Sequence, residues 1–321
     1  MGFQEVLLQH DSIQKRKETS QAKLDRAREL FSADPVLSKN SDICIFAAGS
    51  LGRLDSGLTS DLDLFVTTMG EKNVGRLDEI LYFSSILRLN QALEYEAPSN
   101  DGEFLKIFHV SENEGKVGSA NDDIENWFTT RMLLLLESNF IYNEIAYHDH
   151  KKAILDFYFR DSAGQEKFQP VFLLNDILRY WRTLCLNYEQ KARASPTASW
   201  KKKNFNLKFS RLLSVFGTVL PLIMMEDVTA EKIELLSSRT PMDRLAEGLD
   251  TLNAPELLSD FKIFLNHYEF FLMTKETTNF SNVTDEIKSD LQSRANFVSK
   301  FIFNALNHNS VPEEYRRYLV I

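Results

Sequence analysis

A glycine-serine pair and, ten residues later, two aspartates two positions apart are the residues best placed to do chemistry in this 321-residue chain. They lie in AAGSLGRLDSGLTSDLDLFV, residues 47–66. Gly49 lets the backbone turn tightly and approach a ligand with no side chain in the way. Ser50 adds a hydroxyl, and the residues after it are expected to begin a helix whose free N–H groups attract phosphate oxygens. Asp61 and Asp63, two apart on a strand, project their carboxylates from the same face. Two adjacent carboxylates repel unless a cation sits between them, and their hard oxygens suit Mg²⁺. Phosphate-binding backbone beside a magnesium-binding pair is the chemistry of a nucleoside triphosphate site.

The elements around this stretch must hold its two ends together. ICIFAA, residues 43–48, reads as a buried strand. DLDLFVTT, residues 61–68, alternates, with Leu62, Leu64 and Val66 on one face and Asp61, Asp63 and Phe65 on the other. Gly70 ends it, and residues 74–96 have helical periodicity. EFLKIFHV, residues 103–110, reads as a third strand after the turn APSNDG. His109, near its end, reads as structural. From about residue 122 onward strands are expected to stop. Helices are expected over 121–138, 141–157, 170–190, 205–225, 229–236, 241–248, 254–275 and 284–306, the last with Asn282 and Asp285 as a capping box. Residues 3–33 carry Leu7, Leu8, Ile13, Leu24, Ala27, Leu30 and Phe31 at the spacing of one or two amphipathic helices. The pattern predicts an α+β chain: a helical extension over 1–40, a small mixed-sheet α/β domain over 41–120 and an all-helical domain over 121–321.

Composition narrows the function classes. The chain is 43% hydrophobic and 26% charged, as globular proteins are, with a net charge of −9 that offers no general attraction to nucleic acid. Its two cysteines, Cys44 and Cys185, sit in apolar segments and read as small buried hydrophobes, which excludes a disulfide scaffold or a cysteine zinc site. The opening MGFQEVLLQHDSIQKRK lacks the apolar core of a secretion signal, and Val6 stands where a myristoylation motif wants Ser or Thr. The apolar stretch MLLLLESNFIY is interrupted by Glu137 and falls short of the ~20 residues of a membrane span. A cytoplasmic protein with no membrane partner is expected.

Gly49-Ser50, ten intervening residues and Asp61-Leu62-Asp63-Leu64 resemble the signature of the DNA polymerase β superfamily of nucleotidyltransferases. Within it, GSLGRLDSGLTSDLDLFV is most similar to the branch of the uridylyltransferase that modifies nitrogen-regulatory proteins and its bacterial relatives, which often carry Gly-Arg after the first motif, as Gly52-Arg53 here, and Ser-Asp before the second, as Ser60-Asp61. A weaker likeness extends through NWFTTRMLLLLES and ILRYWRTLCLNYE. The resemblance implies a metal-dependent nucleotidyltransferase that moves a nucleoside monophosphate from its triphosphate to an acceptor hydroxyl and releases pyrophosphate. It implies Mg²⁺ or Mn²⁺ held by Asp61, Asp63 and a third acidic residue on a later strand, for which Glu103 is the candidate and Asp101 its rival. It implies nucleotide contacts from Gly49 and Ser50. Arg53 fits either the triphosphate or an ion pair with Asp55 or Asp61. The acceptor is a protein, an RNA 3′ end or a small molecule. The alternative is a non-catalytic nucleotide-binding regulatory partner; degenerate members lose a motif carboxylate, and this chain retains both.

One segment runs against the acidic balance. Between Arg179 and Arg211 nine basic residues face a single acid, Glu189. Arg179 and Arg182 lie three apart on one expected helix, Lys208 and Arg211 three apart on the next, and KARASPTASWKKKN between them reads as a loop. In the poly(A)-polymerase and oligoadenylate-synthetase relatives a helical domain supplies basic residues to the triphosphate, which makes Arg182, Lys208 and Arg211 nucleotide-binding candidates. Trp200 and Phe205 interleave with lysines in the manner of surfaces that stack single-stranded bases.

Overall fold

A computed structural model describes residues 2–58, 60–70, 74–96, 102, 105–163, 168–194, 198–278 and 283–319. In chain order the elements are α1 (Phe3–Leu8), α2 (Asp11–Ser32), β1 (Ile43–Ala48), α3 (Gly49–Gly52), β2 (Asp63–Thr68), α4 (Arg76–Ala92), β3 (Ile107–His109), α5 (Asn113–Lys116), α6 (Ala120–Ile124), α7 (Trp127–Leu136), β4 (Asn139–Tyr142) and α8 (Glu144–Tyr158). There follow α9 (Val171–Ala194), α10 (Ala198–Asn206), a π-helical turn (Leu207–Arg211), α11 (Leu212–Met224), α12 (Ala230–Ser237), α13 (Pro241–Leu252), α14 (Leu258–Thr277), α15 (Asp285–Leu306) and α16 (Glu313–Tyr318). The class is α+β, with one small mixed sheet and a predominance of helix.

The chain divides into two compact units. One, Arg16–Phe168 with Thr229–Ser238, holds the sheet; the other, Met1–Lys15, Gln169–Val228 and Arg239–Ile321, is helical. This division falls at 168/169 where sequence composition suggested 120/121. The reason is β4, which pairs with β1 and so ties residues 127–158 to the sheet. Asn139-Phe-Ile-Tyr was expected to be continuous with helical sequence; four residues between Ser138 and Asn143 are too few to show an alternating pattern.

The sheet order is β3-β2-β1-β4. β1 is antiparallel to both neighbours, and β2 and β3 are parallel. All six residues of β1 are buried because both faces are covered. Ile43, Ile45, Ala47, Leu64 and Val66 join Leu24, Ala27 and Phe31 of α2 and Tyr82, Ile86 and Leu89 of α4 in one core. The alternate residues Phe46 and Phe65 stack on each other at 5.5 Å, with Tyr147 of α8 against Phe46. Phe65, on the strand face shared with the aspartates, is therefore buried. The expected strand 61–68 begins at Asp63; of the strand expected over 103–110, the described residues 105–110 form strand over Ile107–His109. The expected helix 121–138 is broken by Asn126, whose φ of 60° is left-handed. Fully buried Arg131 of α7 then donates to both carboxylate oxygens of Asp122, at 2.9 and 3.0 Å, and to the Tyr158 hydroxyl at 2.8 Å.

In the helical unit, Asp250 of α13 caps α1: its carboxylate accepts from the backbone N–H groups of Phe3 and Gln4 at 2.6 and 3.0 Å, and the Phe3 ring meets Phe261 edge-on. The N-terminal extension is thus split, its first 15 residues joining the helical unit. The cap of α15 is the Thr284 side chain, which accepts from Ile287 N–H; Asn282, expected in that role, lies outside the described residues. Among the described residues, Lys202–Met224 is the one helix long and apolar enough to cross a membrane, and 72% of its apolar window is buried inside the protein. That stretch, rather than MLLLLESNFIY, is the most apolar long helix, and its burial is what core packing requires.

Candidate active site

Antiparallel pairing of β1 with β2 sets Ala48 opposite Asp63, so the chain leaves β1 beside the first residue of β2. Gly49 makes the turn with a φ of +66°, a conformation that favours glycine. A Cβ built there would lie 2.9 Å from Asp63 Oδ2, so the carboxylate rests against the glycine itself. Asp63 is exposed while the other five residues of β2 are buried. Asp61 is also exposed and precedes the strand, with buried Leu62 anchoring the chain between the two carboxylates. The helix expected after Ser50 is the single turn α3. Ser50 is half-buried, and its carbonyl accepts from Asp55 N–H at 2.9 Å.

The support beneath this turn comes from far away in sequence. Gly52 is wedged so closely that a Cβ would lie 2.1 Å from the Glu137 carbonyl oxygen and 2.7 Å from that of Ala47. Asn139 Nδ2 donates to the Gly52 carbonyl at 2.8 Å. Arg53 is buried and committed: Nε and Nη2 donate to the two Asp55 oxygens, both at 3.1 Å, and Nη1 donates to Glu137 Oε2 at 2.6 Å. Of the roles open to Arg53, the structure gives the ion pair, with Glu137 as a partner in addition to Asp55. The loop that returns to Asp63 is pinned on α2, where Ser20 Oγ accepts from Ser56 N–H at 3.0 Å and Lys23 Nζ donates to the Gly57 carbonyl at 2.7 Å. Sequence reasoning missed Glu137, Asn139, Ser20 and Lys23. Only Glu137 carried a signal, as a charge interrupting an apolar run.

Glu103 and its rival Asp101 lie outside the described residues. β3 runs parallel to β2, with Ile107 beside Val66. His109 Nδ1 meets the Gly70 carbonyl at 3.4 Å. Among the described residues no group of three or more His, Cys, Asp or Glu side chains is assembled to hold a metal ion. The donors present are the two carboxylates of Asp61 and Asp63, whose chemistry fits a hard divalent cation but which need a further acidic ligand to complete an all-carboxylate set.

Arg182, Lys208 and Arg211 belong to the helical unit. Arg182 is exposed on α9. Lys208, in the π-helical turn, donates to Gln292 Oε1 at 2.6 Å, and burial holds its ammonium below the usual lysine range. Arg211 Nη1 donates to the Tyr180 hydroxyl at 3.3 Å. Phe205 is buried, which removes it from any base-stacking surface. The expected loop 191–204 is helical where described, in the end of α9 and in α10. Within β1, Cys44 is fully buried and its thiol is pushed up to about 12 by that burial.

No known family, characterised protein or solved structure matches this chain.

Proposed function

We propose that the sheet-bearing unit carries a metal-dependent nucleotidyltransferase site that transfers a nucleoside monophosphate from its triphosphate to an acceptor hydroxyl. The observation that supports this reading is the juxtaposition at the end of the β1–β2 hairpin. A left-handed glycine, buried at the end of β1, lets the Asp63 carboxylate lie directly against it, with exposed Asp61 two residues away. Asp61 and Asp63 are the residues that would hold the metal, with Glu103 or Asp101 as the third carboxylate. When bound, it lowers the pKa of an acceptor hydroxyl and neutralises charge on the leaving pyrophosphate.

The chain's own residues have separate tasks in this scheme. Gly49 and Ser50 border the phosphates. The Arg53–Asp55–Glu137 ion pairs and the Asn139 bond to Gly52 fix the turn that presents them. Such rigid support matters because positioning alone is worth several kcal/mol in phosphoryl transfer. The acceptor oxygen bonds to the α-phosphorus, the bond from that phosphorus to the bridging oxygen breaks, and pyrophosphate carries the electron pair away. The acceptor's proton passes to a carboxylate or to solvent.

The testing experiment supplies each of the four α-phosphate-labelled nucleoside triphosphates with magnesium or manganese in lysate. Label entering protease-sensitive, nuclease-sensitive or low-molecular-weight product beyond that seen with an Asp61→Asn, Asp63→Asn double variant supports the reading and names the acceptor class. Nucleotide binding with no label transferred to any of these replaces it with a non-catalytic nucleotide-binding partner.

A further inference from the structure

One helix of the sheet-bearing unit is apolar on two faces. α4 buries Tyr82, Ile86 and Leu89 in the core described above. Its outer face carries Leu77, Ile80, Leu81, Ser84 and Leu87, a second stripe at helical spacing. Leu77 is 78% exposed, Ile80 48%, Leu81 52% and Leu87 41%. These are four of the sixteen large hydrophobic side chains exposed among the described residues, gathered on one helix. Scattered exposed apolar residues are ordinary, whereas a contiguous ridge marks an interaction surface.

We propose that this ridge is a homodimer interface in which α4 packs antiparallel on the α4 of a second copy about a two-fold axis at Ser84. The inference stands apart from nucleotidyl transfer and rests on the self-complementarity of the stripe. At about 100° per residue, Ile80 and Leu87 fall to one side of the line through Ser84, and Asp78, Leu81 and Arg88 to the other. A two-fold axis across the helix keeps each side facing itself while reversing direction. Leu87 then meets the partner's Ile80, and Leu81 meets the aliphatic stem of the partner's Arg88. The charges reverse with the same logic. Asp78 lies in the first turn and Arg88 towards the far end, and Arg88 stays 64% exposed although it pairs with Asp34. The two-fold operation therefore brings Arg88 towards the partner's Asp78 at both ends of that side. Ser84, small and exposed, occupies the point of closest approach.

One helix face makes an interface at the small end of the range, so the dimer is concentration-dependent. Light scattering after size exclusion, from micromolar to hundreds of micromolar chain, is expected to show the mass rising from 37.1 kDa towards twice that value. Leu81→Glu, at an exposed position, is expected to keep the wild-type circular dichroism and remain monomeric throughout. Asp78→Arg, which faces the partner's Arg88, is expected to weaken association at least tenfold. Axes about 10 Å apart with a Cα radius of about 2.3 Å place the two Ser84 Cα atoms roughly 5.4 Å apart, within disulfide reach. In a Cys185→Ser background, Ser84→Cys is expected to cross-link into a covalent dimer on oxidation, and Leu77→Cys is not. A wild-type chain that stays monomeric over the whole range overturns the proposal. So does a dimer that Leu81→Glu leaves intact, or cross-linking through Leu77→Cys in preference to Ser84→Cys.

Discussion

Replacing Gly49 with alanine tests how the turn after β1 is built. The φ of +66° costs an L-residue about 1–2 kcal/mol relative to glycine. The new Cβ would also lie 2.9 Å from Asp63 Oδ2, closer than real contacts permit. The nearest atom is the far end of a flexible side chain, so Asp63 gives way before the backbone does. Stability then registers at least the backbone cost, about 1–2 kcal/mol, or roughly 2–8 °C in melting temperature at about 2–4 °C per kcal/mol. Function registers the displaced carboxylate: a shift of about 1 Å in a group that must meet a reacting phosphate costs on the order of 100-fold in rate. Differential scanning calorimetry and label transfer on the same preparation separate the two. An alanine variant that melts with wild type would refute the left-handed turn. One that melts lower but transfers label at the wild-type rate would refute the coupling of Gly49 to Asp63.

Further outcomes follow from groups around the site. Glu137→Gln removes the charge that accepts from buried Arg53 and is expected to cost about 3 kcal/mol, as broken buried pairs do, with a lower denaturation midpoint as the check. Gly52→Ala forces a Cβ to 2.1 Å from a backbone carbonyl that cannot swing aside, so it is expected to destabilise more than Gly49→Ala under identical melting conditions. His150, buried with Nδ1 2.8 Å from the Thr67 hydroxyl, is held down to about 4 by burial, with Asp149 and Asp42 opposing that shift in part. Its ordinary value is about 6.5, so the unfolded chain takes up the proton first as pH falls. The stability contribution is full above about pH 6.5 and declines towards pH 4, by about 3 kcal/mol in all. Urea unfolding at pH 7 and pH 4.5 is expected to show that decline in wild type and a shallower one in His150→Gln.

The parts of this structure that sequence made legible are those with local causes. Alternation marked β2, and a β-branched run marked β1. The Gly49–Asp63 proximity rests on chain connectivity across one hairpin, and apolar periodicity outlined the long helices. What stayed hidden depends on distant partners. Arg53 could not declare itself structural while Glu137, 84 positions away, looked only like an interruption of an apolar stretch. β4 is too short for a periodic signal, yet it moves residues 127–158 onto the sheet and so changes where the units divide. Phe65 alternates with the aspartates, but tertiary packing against Phe46 buries it while Asp63 stays exposed at the strand end. The lysine-rich segment before Asn206 read as a loop because its composition outweighed its helical periodicity, and it is helical from Ala198.

The most direct test of the account is label transfer by Asp61→Asn and Asp63→Asn, each checked for wild-type circular dichroism and melting behaviour. Both positions are exposed, so the fold is expected to survive while transfer falls below detection in each variant. Wild-type transfer by either folded variant would contradict the assignment of these two carboxylates as the metal-binding pair.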